Sequence, residues 1–227
     1  MRSLEADLAG ARDLDTDALA DAIEAIGFEC TRCGACCRAV EADGDTQDHT
    51  ATVFPDEVRR LRGAGQDEDT YDWRDVARPM PYGLEDGAGE TFEWALQTDS
   101  CGDCVFYEES EGDGACTVHG DRPLVCRTYP FSVRAVADSG EGALGREPMG
   151  SVVEQRGAVQ AHECEGLGRD IPREDAEELA EALKERAIRE LEEAIAVRDG
   201  YEPADAGGVV VHDSEGQKRP DGTPLGE

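Results

Sequence analysis

The sequence predicts an α+β fold, a small irregular cysteine-rich domain with short strands, an N-terminal helix and a long C-terminal helix. Three observations predict it. Apolar stripes at helical spacing lie near both ends, short alternating runs lie between them, and eight of the nine cysteines gather in two groups, at 30–37 and 101–126.

Leu4 and Leu8 begin a short helix after Ser3. The stronger pattern runs from Asp17 to Ile26, where Leu19, Ala22, Ile23 and Ile26 form one stripe, with Asp15 or Thr16 as N-cap and Gly27 as the stop. Residues 41–52 are polar and read as loop. Pro55 starts a short helix carrying Val58 and Leu61, because proline is tolerated at the first helical position. Residues 63–90 read as irregular. Thr91 to Gln97 alternates, with Phe92, Trp94 and Leu96 on one side, as a half-buried strand does, and so does Phe131 to Val136. Pro172 and Asp175 open the longest helix, which runs to about Arg198 with Ala176, Leu179, Leu183, Ala187, Leu191 and Ile195 on its buried face. Such a helix either packs across its own domain or forms a homodimer contact. From Tyr201 the chain is rich in Gly, Pro and Asp and reads as a mobile tail. The expected organisation is a helical segment at 1–27, a cysteine-cluster domain at 28–170, a long amphipathic helix packed on it at 171–200, and a flexible acidic tail at 201–227.

Charge narrows the function classes. Against 53 Asp and Glu stand 22 Lys and Arg, a formal net charge of −31, and the only lysines are Lys184 and Lys218. The acids are spread through every segment, as expected of a protein from a halophilic, haloarchaeal-like source whose surface repulsion is screened in a salty cytoplasm. Sequence-independent nucleic-acid binding needs clustered cations and is excluded. No run of 18 apolar residues is present, so no membrane span is expected. The N-terminus has no apolar signal core, and a cytoplasmic location is the expectation. In a reducing cytosol, nine cysteines read as metal ligands rather than disulfides.

The cysteines carry the most specific signal. Cys30-x-x-Cys33-x-x-Cys36-Cys37 places four thiols in eight residues, and the first three match a ferredoxin-type run. Two intervening residues let one turn aim successive thiolates at a common centre, and Gly34 relieves the backbone there. Adjacent side chains diverge, so Cys36 and Cys37 do not both ligate one ion; Cys37 reaches a second centre or bridges within a polynuclear one. Cys104, Cys116, Cys126 and Cys164 supply four further thiols, enough with the first four for two four-thiolate sites, and Cys101 is then the spare, or else it substitutes for one of the others. His119, three residues after Cys116, is a nitrogen ligand or a turn histidine, and His162 has a weaker claim. His49 and His212 are expected to be solvated. Arg32, Arg38, Arg122 and Arg127 flank the thiolates and would offset their negative charge, although Arg122 before Pro123 reads equally well as a turn cap.

The run Cys30-Thr-Arg-Cys33-Gly-Ala-Cys36-Cys37, with Cys104-Val-Phe, Cys116-Thr-Val-His119, Arg122-Pro-Leu-Val-Cys126-Arg-Thr-Tyr129-Pro130-Phe131, and Cys164 near Gly166 and Gly168, resembles the YkgJ family of cysteine-cluster proteins, described as zinc- or iron-chelating. The resemblance covers about residues 28–170. It implies a single α+β metal-binding domain, often containing iron–sulfur. The same cluster occurs in flagellin lysine N-methylases, which raises methyl transfer. Cys101 has no counterpart in the pattern.

Three functions follow as expectations. The first is an iron–sulfur protein, with a 4Fe-4S cluster and an oxidoreductase or electron-transfer role toward an unidentified redox or protein partner. The second is a zinc-stabilised binding module without chemistry, since closed four-thiolate zinc sites leave no position for substrate. The third is a methylase relative, although no glycine-rich loop stands between a strand and a helix as a dinucleotide fold requires. The residues name no catalytic group.

Overall fold

The structure, a computed structural model, describes residues 3–42, 45–64, 71–110, 113–134, 143–144, 150–204 and 207–226. In chain order the first elements are α1 (Leu4–Arg12), α2 (Thr16–Ile26), β1 (Val40–Ala42), β2 (Asp45–Gln47), β3 (Thr52–Val53) and α3 (Pro55–Arg62). Next come α4 (Trp73–Val76), β4 (Ala77–Pro79), β5 (Leu84–Glu85), β6 (Ala88–Thr91), β7 (Trp94–Leu96), β8 (Tyr107–Ser110) and β9 (Asp113–Cys116). The last are α5 (Leu124–Thr128), β10 (Phe131–Arg134), β11 (Ala143–Leu144), β12 (Val152–Arg156), β13 (Val159–His162), α6 (Arg173–Gly200), β14 (Val209–Asp213) and β15 (Gly216–Lys218). The fold is α+β, with helices toward both ends. No helix among the described residues is long and apolar enough to cross a membrane.

Two compact units divide the chain, each built from two separate stretches. One comprises Met1–Cys36 with Leu124–Ile195, the other Cys37–Pro123 with Ala196–Glu227. The boundary passes between the adjacent Cys36 and Cys37.

In the first unit the capping is as the sequence predicts. The Asp15 carboxylate accepts from the N–H groups of Asp17 and Ala18, and Gly27 ends α2 at φ 78°, a backbone conformation that suits glycine. Leu19, Ile23 and Ile26 of α2 pack with Leu8 and Ala11 of α1, with Phe131, Val133, Val159 and Ala161 of the antiparallel β10–β13 pair, and with α6. At 28 residues α6 is about 42 Å long. Its small residues Ala176, Ala180 and Ala187, with Leu183 and Leu191, are buried in this core, while Leu179 and Ile195 are partly buried against it. The apolar stripe therefore serves the unit's own core. Arg173 reaches Asp21 and Glu24 of α2, and Arg12 meets Glu192 at 2.7 Å, exposed pairs whose attraction solvent screens.

The second unit departs from the sequence reading in four places. Residues 41–52, expected as loop, hold the β1–β2 hairpin and β3. The stretch 63–90, expected as irregular, holds α4, β4, β5 and the start of β6; residues 65–70 lie outside the described residues. The strand expected over Thr91 to Gln97 is broken. β6 ends at Thr91 in one sheet and β7 starts at Trp94 in another, between β3 and β4. Phe92 is left 46% exposed, and Trp94, Ala95 and Leu96 are all buried. A strand covered on both faces shows no alternation, which is why period two misleads here.

The fourth departure is the C-terminal stretch. Instead of a mobile tail, β14 runs parallel to β6 with Val211 opposite Thr91, and β15 pairs with β14. Asp213 accepts from the Trp94 indole at 2.8 Å, and Lys218 sits 2.8 Å from Asp213, both nearly buried. A short Val209–Val211 run becomes a strand because its partner lies some 120 residues earlier in the chain. In the first unit, β10 covers Phe131–Arg134 of the expected Phe131 to Val136 strand, and residues 135–136 lie outside the described residues.

Candidate metal centre

The first cysteine turn is anchored by a short backbone ladder. Phe28 and Leu167 form an antiparallel bridge, Glu29 N–H donates to the Gly166 carbonyl at 3.0 Å, and Gly168 N–H donates to the Gly27 carbonyl at 3.0 Å. The approach requires glycine, because a Cβ on Gly166 would lie 2.2 Å from the Glu29 carbonyl oxygen. Cys30, directly after Glu29, and Cys164, two residues before Gly166, are therefore held at one end of the same ladder. Beyond Cys30 the chain turns through two left-handed residues, Arg32 at φ 57° and Gly34 at φ 74°, into a single 3₁₀ turn over Ala35–Cys37.

The thiols of Cys30, Cys33, Cys36 and Cys164 are electrostatic neighbours. Burial raises the Cys164 thiol above its ordinary value, the Gly166 N–H at 3.4 Å from its sulfur partly opposes this, and the thiolates of Cys33, Cys36 and Cys30 raise it further. Tyr129 lies in the same neighbourhood. Its phenol is raised first by burial and then by Cys164, Cys36 and Cys33, and its hydroxyl donates to the Glu163 carbonyl at 2.6 Å. Negative charge on the Cys164 sulfur, disfavoured by burial and by three neighbouring sulfurs, is the kind of charge that a soft cation stabilises. The donor chemistry thus fits zinc or iron. Among the described residues, however, no three His, Cys, Asp or Glu side chains stand in ligating geometry about one point, so the thiols are neighbours rather than a closed shell. All nine cysteines are thiols, with no disulfide between them.

Cys126, the fifth thiol of this unit, is half-buried on α5. That short helix is fixed from beneath. The Arg186 guanidinium of α6, 2% exposed, donates to Thr128 Oγ1 at 3.0 Å and to the Phe131 carbonyl at 3.3 Å, and it pairs with the Glu190 carboxylate at 2.8 Å.

In the second unit three cysteines share one hydrogen-bonded patch of backbone. Cys104 N–H donates to the Cys37 carbonyl at 2.8 Å, Tyr107 N–H donates to the Cys104 carbonyl at 2.8 Å, and Tyr107 faces Cys116 across β8 and β9. Cys101 is exposed at a tight turn, where the Asp99 carboxylate accepts from the Cys101 and Asp103 N–H groups and Gly102 takes φ 84°.

Several flanking residues behave differently from expectation. His49 and His212, expected in solvent, are 2% and 3% exposed; His212 Nε2 lies 2.9 Å from Glu90, and its ring stacks on Phe92. His162 is a satisfied core histidine: Nδ1–H donates to the Gly150 carbonyl at 3.1 Å, so Nε2 accepts from the Ser132 hydroxyl at 2.8 Å. His119 is exposed in a turn, its carbonyl accepting from Arg122 Nε at 3.0 Å, so Arg122 acts as the turn cap. Arg38 is directed at the Tyr107 hydroxyl and at Glu109. Tyr129 and Arg186 are the residues sequence reasoning passed over. Tyr129 lay in view inside the quoted motif, and Arg186 was detectable as an arginine between Leu183 and Ala187 with an acid four residues on.

No curated protein and no solved structure matches the chain. A family profile named CxxCxxCC, with the description "Putative zinc- or iron-chelating domain", matches residues 29–165, more than half of the chain and the stretch that contains all nine cysteines. On that match, the chain belongs to the CxxCxxCC family of zinc- or iron-chelating domains.

Proposed function

We propose that Cys30, Cys33, Cys36 and Cys164 hold a four-thiolate iron–sulfur cluster of the 4Fe-4S type, and that the protein serves electron transfer or a related redox reaction in the cytoplasm. The observation that carries this reading is the joint influence of Cys30, Cys33 and Cys36 on Cys164, which unites a C-x2-C-x2-C run with one remote thiol. When bound, such a cluster supplies one-electron chemistry. The chain's own groups then have definite tasks. The Gly27–Glu29 and Gly166–Gly168 ladder sets the spacing of Cys30 and Cys164, and the Gly166 N–H lowers the cost of negative charge on the Cys164 sulfur. Cys37, Cys104 and Cys116 are the ligands that the second unit offers, and Cys126 is a further thiol of the first.

Zinc is the other occupant this donor set takes, and the family description names both metals. Anaerobic purification followed by visible absorption and metal analysis separates them. A brown protein with several iron and acid-labile sulfide per chain is the expected result. A colourless protein with stoichiometric zinc replaces the redox reading with that of a zinc-stabilised module.

The charge of −31 we read as adaptation to a salty cytoplasm. At about 1 M salt the Debye length is about 3 Å and the acids scarcely repel one another; in dilute buffer it lengthens to about 30 Å. Dialysis into dilute buffer is expected to lower the melting temperature markedly, followed by circular dichroism. An unchanged transition there refutes the reading.

A further inference from the structure

We infer that Tyr129 is a positioning residue for the four-thiol centre: through its hydroxyl it holds the Glu163 carbonyl and so fixes where Cys164 enters the site. The inference rests on the metal-binding reading above for its purpose, although its geometry stands independently of it.

The β10–β13 pairing does not stop where the strands do. Phe131 faces Ala161 in register, and His162 N–H then donates to the Pro130 carbonyl at 2.9 Å. One residue further, side chain takes over from backbone, as Tyr129 Oη donates to the Glu163 carbonyl at 2.6 Å. Glu163 N–H is engaged on the opposite side by the Ser151 carbonyl at 3.0 Å. Glu163, the residue before Cys164, is thus held at both its N–H and its carbonyl. The foundation is rigid, since the buried His162 ring is bonded to Ser132 and to Gly150. Past the cysteine, Gly166 N–H meets the Cys164 sulfur and Leu167 N–H donates to the Cys164 carbonyl at 3.3 Å. Without the hydroxyl, the restraint on the Glu163 carbonyl is lost, while those on its N–H and after Cys164 remain.

The hydroxyl has one proton, and the carbonyl takes it. Tyr129 therefore acts on the centre through the position of Cys164 and not by donating to a sulfur. An outer partner of this kind typically costs about 10–100-fold in metal affinity when removed. Tyr129→Phe deletes the hydrogen bond and keeps the ring.

The test has two arms on the full chain. In the first, the reduced, metal-free protein is treated with iodoacetamide and alkylation is followed peptide by peptide, with the exposed Cys101 as internal reference. Tyr129→Phe is expected to speed labelling of Cys164 several-fold and leave Cys101 unchanged. In the second, Co(II) is titrated and the thiolate-to-cobalt absorption is recorded; the part of the band lost in Cys164→Ser belongs to this centre. Tyr129→Phe is expected to weaken that part about tenfold or more. Wild-type labelling of Cys164 together with a wild-type titration overturns the inference. If the wild-type chain gives no cobalt–thiolate band, the metal reading falls, and the labelling arm alone still decides whether Tyr129 positions Cys164.

Discussion

Cys33→Ser is expected to empty the centre of the first unit and to destabilise that unit severely, whereas Cys101→Ser changes neither metal content nor stability. Cys33 lies between the two left-handed residues of its turn, Arg32 and Gly34, and its thiolate acts on both Cys164 and Tyr129. A serine oxygen there is too hard and too weakly acidic to replace a thiolate on a soft metal. Ligation is coupled to folding, and a structural metal contributes on the order of 10 kcal/mol, comparable with the whole stability of a native domain. Cys101 is exposed on its turn and is joined to the rest through backbone N–H contacts that serine preserves, so its substitution should fall within about 0.5 kcal/mol. Metal analysis and thermal melts of the two variants side by side give the answer. Equal metal content in both would remove Cys33 from the ligand set.

Arg186→Met is expected to cost about 3–5 kcal/mol, because it removes the cation of an ion pair whose two side chains are nearly buried. The side chains of Arg186 and Glu190 are 3% and 7% exposed, so water cannot take over the lost contact. The same change removes the donor to Thr128 and to the Phe131 carbonyl at the end of the helix that carries Cys126. Arg186→Met with Glu190→Leu should recover much of the loss, since a buried ion pair exchanged for apolar groups of like volume is often neutral. The recovery should be incomplete, because the contacts to α5 and β10 stay broken. Denaturant titration of the single and double variants measures both effects. A double variant no more stable than the single would show that the contacts to Thr128 and Phe131, not the ion pair, carry the cost.

Where the chain's local chemistry is strong, the sequence predicts the structure closely. The cap at Asp15, the stop at Gly27, Pro55 at the start of α3 and the apolar face of α6 each depend on residues within one or two turns of one another. The turn at Gly34 belongs to the same class. Errors concentrate where burial is two-sided or pairing is remote. β7 shows no alternation because both its faces are covered, and β14 looks like tail because its neighbour β6 is distant in sequence. His212 follows β14 into the interior, where Glu90 of β6 meets it.

The site divides along the same line. Sulfur type and spacing, properties of the chain alone, single out Cys30, Cys33, Cys36, Cys37, Cys104, Cys116, Cys126 and Cys164 as candidate ligands. Helices α1, α2, α3 and α6 and the soft-donor character of the thiols are likewise written in the order of residues, since each depends on neighbours a few positions away. Folding in three dimensions adds the rest: Cys164 joins the first three cysteines, Tyr129 and Arg186 hold the segments bearing Cys164 and Cys126, and the C-terminal stretch becomes a strand. Those outcomes depend on contacts between residues 34 to more than 100 positions apart, whose geometry no local propensity encodes.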